Sequence, residues 1–431
     1  MKRPSARRSA PAPLPGARPP LPRLAAALLA AALGLSAAPA AARVDDPACR
    51  PAAQGAPLKV ALVTSSSGGL IFNSMGHTAI WFSGGPLDEG LVYNWGAYDG
   101  TRPDLGPAFL SGQMNFWLAD EVWAVQWRRN LRQQRSVVVQ VLDVPQAEAA
   151  AMLRKLQVEV LPENREFRYH WALDNCATRA RDVVNTLVGG QLETALSTPA
   201  PWTARHEGAR HLSRYPVAAF AWDFMAGPYV DQPLTDWQLG MVPERLMESV
   251  QGVALRDPDG ATRPLVTARC DLREGEYSWA RPHPLPGWPV AAVTTALSAL
   301  MVGLGLRPAG AARRLSGAML GLWGLTAGLL GLITFVMWAI SSLDGVGPTY
   351  SWLQASPLTL ALAAAGLQRA RLRAWGPLLR GLTFALAGIG VAGLIFKPLI
   401  PQDNLHMVAV FLPPLLGAAA LAWRAPGDGR G

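Results

Sequence analysis

At Pro286 this chain changes the solvent it is written for. Beyond that point five apolar runs succeed one another: Trp288–Leu306, Ser316–Ile340, Trp352–Leu367, Leu378–Phe396 and Leu405–Trp423. Each is close to the ~20 residues that a helix needs to cross a bilayer core. A backbone in hydrocarbon must satisfy its own hydrogen bonds, so such runs specify an all-α transmembrane bundle. Over the whole 431 residues 50% are hydrophobic and 16% charged, and the apolar excess lies in this second part.

The connections alternate in charge. Arg307, Arg313 and Arg314 make one basic, and Arg369, Arg371 and Arg373 another, whereas "SSLDGVGPTY" and "KPLIPQDN" carry little positive charge. The positive-inside rule therefore expects a five-helix transmembrane domain over 286–424 and a cytoplasmic tail over 425–431. Ser351, Gln354, Ser356 and Pro357 weaken the outer end of the third run. Those polar residues either sit at the interface or share a substrate entrance with Asp403, Asn404 and His406. The net charge of +9 follows the membrane topology, with Lys2, Arg3, Arg7, Arg8, Arg18 and Arg23 ahead of the first apolar stretch, and implies no nucleic-acid partner.

That stretch, "LAAALLAAALGLSAAPAAA", has a basic lead, a short Leu/Ala run and A-x-A sites at its end, so residues 1–42 read as a signal peptide. Retained as an anchor, it would still export the domain C-terminal to it. No lipobox precedes Cys49, because "DDPAC" lacks the required apolar residue.

Residues 43–285 form the exported, periplasmic domain. "LKVALVTS", "HTAIWF", "GLVYNWGAYD" and "SVVVQVLDV" are strands, and "QAEAAAMLRKLQVEV" a helix. Asp174 or Asn175 caps a further helix that Gly189 and Gly190 stop, with Cys176 on its apolar stripe. This is an α+β domain. A thiol at a helix N-terminus is expected to have a lowered pKa, although a small buried residue would occupy the same place. Among the histidines His77 is the best placed base, opening a strand directly after a Gly/Ser-rich turn. His170 lies close enough to Cys176 to pack locally instead. No HxxxH, HExxH or CxxC spacing occurs, so neither metal nor cofactor is expected. Cys49 and Cys270, near the two ends of an exported domain, are candidates for a disulfide that leaves Cys176 as the odd thiol.

"SMGHTAIWF", "LVYNWGAYD", "YHWALDNCATRARDVV" and "DQPLTDWQLGMVPERLMESV" resemble, in order, the motifs of the Lnb-type lipoprotein N-acyltransferases. An Arg often follows "GHTAI" in that family, where this chain has Trp81. The resemblance implies a permuted papain-like, lecithin-retinol-acyltransferase-like fold, in which the His strand precedes the Cys helix. It makes the exported domain catalytic, with Cys176 as nucleophile and His77 as its base. The orienting group is then expected from "VYNWG": Asn94, accepting from His77 Nδ1, ahead of Tyr93. Arg179 and Arg181 are either surface charge or holders of a lipid headgroup.

The reaction so implied passes an acyl chain from a phospholipid or diacylglyceryl donor, through a Cys176 thioester, to the α-amine of a lipoprotein's lipidated N-terminal cysteine. The expected setting is the bacterial inner membrane. Two other readings fit the residues: a cysteine hydrolase acting on cell-wall peptides, and a non-catalytic membrane module that binds lipid or lipoproteins.

Overall fold

The computed structural model describes residues 46–308 and 310–424. The expected signal peptide at 1–42 and the tail at 425–431 lie outside the described residues.

The exported part is built on a seven-stranded antiparallel sheet in the order β6-β4-β3-β2-β1-β5-β9. The strands are β1 (Lys59–Ser65), β2 (His77–Ser83), β3 (Leu91–Ala97), β4 (Asn115–Val122), β5 (Val137–Leu142), β6 (Glu166–Arg168) and β9 (Val266–Arg273). A small ribbon, β7 (Ala254–Arg256) with β8 (Thr262–Pro264), stands apart. The central strands read as nearly unbroken apolar runs because both faces are covered. One face, with Val60, Leu62, Ile80, Phe82, Tyr93 and Trp95, lies in a core shared with α3 (Gln146–Glu159), α4 (Cys176–Leu187) and α7 (Pro243–Gln251). The other, with Ala61, Val63, Ala79, Trp81 and Val139, is closed by α2 (Trp123–Arg132) and by the Cys49–Cys270 disulfide. Trp81 is buried there and stacks on Trp123, ring centroids 4.6 Å apart. Between β3 and β4 runs α1 (Leu105–Leu110).

Among the described residues four helices are long and apolar enough to cross a membrane: α8 (Trp288–Gly305), α9 (Ala311–Ile340), α11 (Pro377–Ile395) and α12 (Leu405–Trp423). The third apolar run departs from the expectation of five equal spans. It makes only an 11-residue helix, α10 (Leu360–Ala370), preceded by 3-10 turns at Tyr350–Leu353 and Pro357–Thr359. At ~1.5 Å per residue that helix is about 16 Å long, roughly half a bilayer core. Pro357 blocks a continuous helix, and Ser351, Gln354 and Thr359 are buried among neighbouring segments, where irregular backbone is tolerated.

A glycine seam on α9 receives this short helix. Gly317, Gly321, Gly324, Gly328 and Gly331 line the approach, and a Cβ at Gly324 would lie 2.6 Å from the Ala363 backbone nitrogen. Small residues at such spacing let two backbones come together in lipid. At one end of the bundle Arg369 donates to the Gly305 carbonyl, which brings the two basic connections together.

The other end is fastened to the exported domain. Between α5 (Ala204–His211) and α6 (Pro216–Met225), Arg205 is buried against Asp231 and Asp223, and Asp223 also meets His406 of α12 at 3.2 Å. Gln402 and Thr349 donate to the carbonyls of Ala226 and Phe224, both at 3.1 Å, and Phe224 packs on Phe411 with centroids 5.2 Å apart. Gln354 and Asn404 are buried as well, so the polar outer ends of the third and fifth runs form a packed joint, not an open entrance.

The disulfide closes a sequence separation of 221 residues. Replacing Cys49 and Cys270 by Ser should destabilise the exported domain by about 2–5 kcal/mol, read as a lower denaturant midpoint under oxidising conditions. An unchanged midpoint would show that the bond contributes nothing to stability.

Candidate active site

Asn175 fixes where α4 begins. Its Oδ1 accepts from the backbone N–H groups of Ala177 at 2.8 Å and Thr178 at 3.0 Å, and Thr178 Oγ1 accepts in return from the Asn175 N–H at 2.8 Å. The Asn175 amide also donates to the Trp171 carbonyl at 2.7 Å and the Met241 carbonyl at 3.1 Å, tying the cap to a distant loop. Such a cap is worth about 0.5–2 kcal/mol and makes Cys176 the first helical residue. Asp174, the other candidate cap, is instead held by Arg179.

His77 opens β2 directly after Gly76, whose φ of +82° lies where glycine is favoured. Its ring lies over Gly96, where a Cβ would come within 2.6 Å of Cε1, so the glycine makes room for the imidazole. His77 Nε2 is 2.9 Å from Asn94 Oδ1. Asn94 Nδ2 donates to Glu121 Oε1 at 3.2 Å, and Arg129 grips both oxygens of Glu121 at 2.8 and 2.6 Å. A carboxylate only accepts, so the Asn94 amide must turn its nitrogen toward Glu121 and its oxygen toward His77. Nε2 therefore carries the proton and Nδ1 keeps the lone pair. Asn94 contacts the imidazole as expected, but through Nε2 and not Nδ1, because it approaches from the far side of the ring.

The thiol sits against the start of the same strand. The backbone N–H of Thr78, next in sequence to His77, points to Cys176, and Arg135 places a positive charge nearby. Cys176 keeps partial exposure, yet protein surrounds the thiol, and that burial pushes its pKa up. The Thr78 N–H, the Arg135 charge and the first N–H groups of α4 pull the other way without reversing the direction. The lowered pKa expected of a helix N-terminus is thus overridden by desolvation. Burial likewise pushes His77 down to about 4, against the Asn94 hydrogen bond and with the charges of Arg135 and Arg129. At neutral pH the pair rests as thiol and neutral imidazole.

Arg135 itself is 5% exposed, its Nε has no hydrogen-bond partner, and no carboxylate pairs with it among the described residues. Burial pushes it down to about 10, with Cys176 acting in the opposite sense. Tyr169 completes the surroundings. Its ring stacks on Phe116 at 4.4 Å, and burial followed by Cys176 drives its phenol pKa up. Glu121, Arg129, Arg135 and Tyr169 escaped the sequence reading; the two carboxylates, Asp120 and Glu121, inside the strand "FWLADEV" are the signal that could have found the first of them.

Three expected substrate-binding residues are placed elsewhere. Tyr93 alternates with Asn94 along β3, so it points into the opposite core, fully buried against Phe82, with its phenol pushed up to about 12. Arg179 is forked onto Asp174 at 2.6 and 2.9 Å and lies 4.0 Å over the Phe167 ring. Arg181 lies 3.8 Å over the Trp237 ring, donates to the Trp237 carbonyl and pairs with Asp182. Both arginines are engaged by carboxylates and aromatic rings of the domain itself. His170 accepts from the backbone N–H groups of Ala172 and Leu173, a local turn. Among the described residues no group of three or more His, Cys, Asp or Glu is placed to hold a metal ion.

Fold and site together define a membrane protein whose exported α+β domain presents a thiol, an imidazole and an amide at one end of its sheet. Residues 48–207, which include His77, Asn94 and Cys176, match the family model of the Lnb N-terminal periplasmic domain. That match supports the Lnb-type family for this chain, and helices long enough to cross a membrane follow the matched domain. No curated protein and no solved structure matches it.

With His77 pushed down to about 4, its neutral form persists well below the ordinary histidine range. Acylation of Cys176 by a water-soluble short-chain thioester should hold from neutral pH down to about pH 5 and fall only near pH 4. An acid limb at the ordinary histidine value of about 6.5 would contradict the buried, neutral imidazole.

Proposed function

We propose that this protein is a thiol-dependent lipoprotein N-acyltransferase of the inner membrane, acting on its periplasmic side. The observation that carries the reading is the neutral Cys176–His77–Asn94 arrangement in an exported domain packed directly on the outer end of the membrane helices.

His77 Nδ1 takes the thiol proton as Cys176 Sγ attacks the carbonyl carbon of a glycerolipid ester. The developing oxyanion is met by the N–H of Cys176, which the Asn175 cap leaves unused, and by the charge of Arg135. The carbon–oxygen bond breaks, the imidazolium returns its proton to the departing lysolipid alkoxide, and an acyl thioester remains. The α-amine of a lipoprotein's N-terminal cysteine then attacks it, giving an amide and restoring the thiol. A buried site suits this second step, because amines outcompete water only where water is scarce. The His strand preceding the Cys helix, with both at one sheet end, supports the permuted papain-like reading. In the membrane half, α10 with its preceding turns serves as a fifth passage, which leaves the C-terminus cytoplasmic.

The test is mass spectrometry of a lipoprotein N-terminus from cells whose only candidate N-acyltransferase is this protein. Cys176→Ala should abolish the N-acyl group, and His77→Ala should lower its formation by on the order of 10²–10⁴-fold, with the double variant no worse than Cys176→Ala. N-acylated lipoprotein from the Cys176→Ala strain would overturn the covalent mechanism and favour a non-catalytic module. A wild-type strain that trims cell-wall peptides without N-acylating lipoprotein would identify the hydrolase.

A further inference from the structure

The loop from β1 to His77 has a polar base and an apolar tip. At the base Ser66 donates from its hydroxyl to the Tyr277 carbonyl, Ser67 Oγ donates to the Ser74 carbonyl at 2.6 Å, and the Gly68 N–H to the Asn73 carbonyl at 3.0 Å. The tip is held open by these bonds: Leu70, Ile71 and Phe72 are 66%, 43% and 56% exposed on a short 3-10 turn. Three consecutive exposed apolar side chains on a fastened loop are not explained by folding, since nothing among the described residues covers them.

Their position says what does. Phe72 meets Phe109 of α1 edge-on, centroids 5.7 Å apart, and Leu110 beside it is 46% exposed. The carbonyls at the end of α1 are bound by the residues that end the membrane helix α9: Ser341 Oγ donates to Leu110 at 2.7 Å, and Ser342 donates to Ser111 at 3.0 Å from both its hydroxyl and its N–H. The apolar tip is therefore continuous with the level at which a transmembrane helix leaves the hydrocarbon. From Phe109 the aromatic row runs inward to Tyr169, centroids 5.8 Å apart, beside Cys176.

We propose that Leu70, Ile71 and Phe72, with Leu110, are inserted into the outer leaflet of the bilayer and bind the acyl region of its phospholipids. Residues 65–75 contain no charged side chain, so insertion needs no anionic lipid and is insensitive to salt. The loop that ends in the candidate base is thereby held at the surface where an acyl donor lies. That last step rests on the proposed acyl transfer; the insertion does not.

The test uses the full chain with Cys176→Ser and Ile71→Cys, labelled with an environment-sensitive nitrobenzoxadiazole dye and reconstituted into phosphatidylcholine vesicles. A label at Asp259→Cys, exposed in the turn between β7 and β8, is the reference. The Ile71 label should emit at shorter wavelength than the reference and be quenched at least two-fold by lipid carrying a nitroxide on its acyl chain, equally at low and high salt. A second label at Leu70→Cys guards against a local effect of the first and should behave alike. Emission and quenching equal to those at Asp259 for both positions would overturn the proposal. Quenching of both labels, together with failure of the protein with Cys176 intact to N-acylate lipoprotein, would leave the inserted tip standing and remove the acyltransferase reading.

Discussion

The hydrogen bond between His77 and Asn94 sets the state of the candidate site, and it is set in turn by a carboxylate two strands from His77. Arg129 fixes Glu121, Glu121 fixes which way the Asn94 amide points, and the amide fixes the imidazole tautomer. Without that relay Asn94 could turn its nitrogen to His77, and the lone pair would sit on the wrong side of the ring. The same burial that sharpens these bonds also removes charge from the pair, since neither a thiolate nor an imidazolium is favoured there. The positive charge lies beside the pair and not on it: Arg129 is neutralised by Glu121, and Arg135 near Cys176 is the charge that the proposed mechanism directs at an oxyanion. This is electrostatic preorganisation.

The second constraint is mechanical. The exported domain does not hang from a linker. Asp223 on α6 is shared between Arg205 of its own domain and His406 of α12, and Gln402 and Thr349 reach carbonyls at the end of α6. Arg205 and Asp231 are a buried pair, and removing one partner of such a pair costs about 3–5 kcal/mol, so the exported side of the joint is part of that domain's fold. Such a joint fixes the end of the sheet with His77 and Cys176 relative to the long apolar helices.

Much of this was legible in the sequence, for identifiable reasons. Apolar runs of membrane length and the alternation of basic connections are signals of composition, and they located the bundle. The Gly/Ser-rich turn ahead of the strand marked His77, and Asp174 or Asn175 marked the start of the helix that carries Cys176. What stayed hidden depends on partners distant in sequence. That Tyr93 faces the core follows from strand register, which "VYNWG" cannot reveal. Arg179 and Arg181 looked free because Phe167, Asp174 and Trp237 come beside them only on folding. The third apolar run matched a span in hydropathy, and only the glycine seam of α9 shows why a short helix suffices there. The helix-dipole expectation for Cys176 failed because burial was not visible.

The central claim is that Cys176 carries the acyl chain. Intact-mass and peptide analysis of the full-length protein, incubated in donor lipid without a lipoprotein acceptor, tests it most directly. The account predicts one added acyl mass on the Cys176 peptide, released by hydroxylamine and absent from the His77→Ala protein. An unmodified Cys176 in a preparation that goes on to N-acylate lipoprotein once acceptor is added would contradict it.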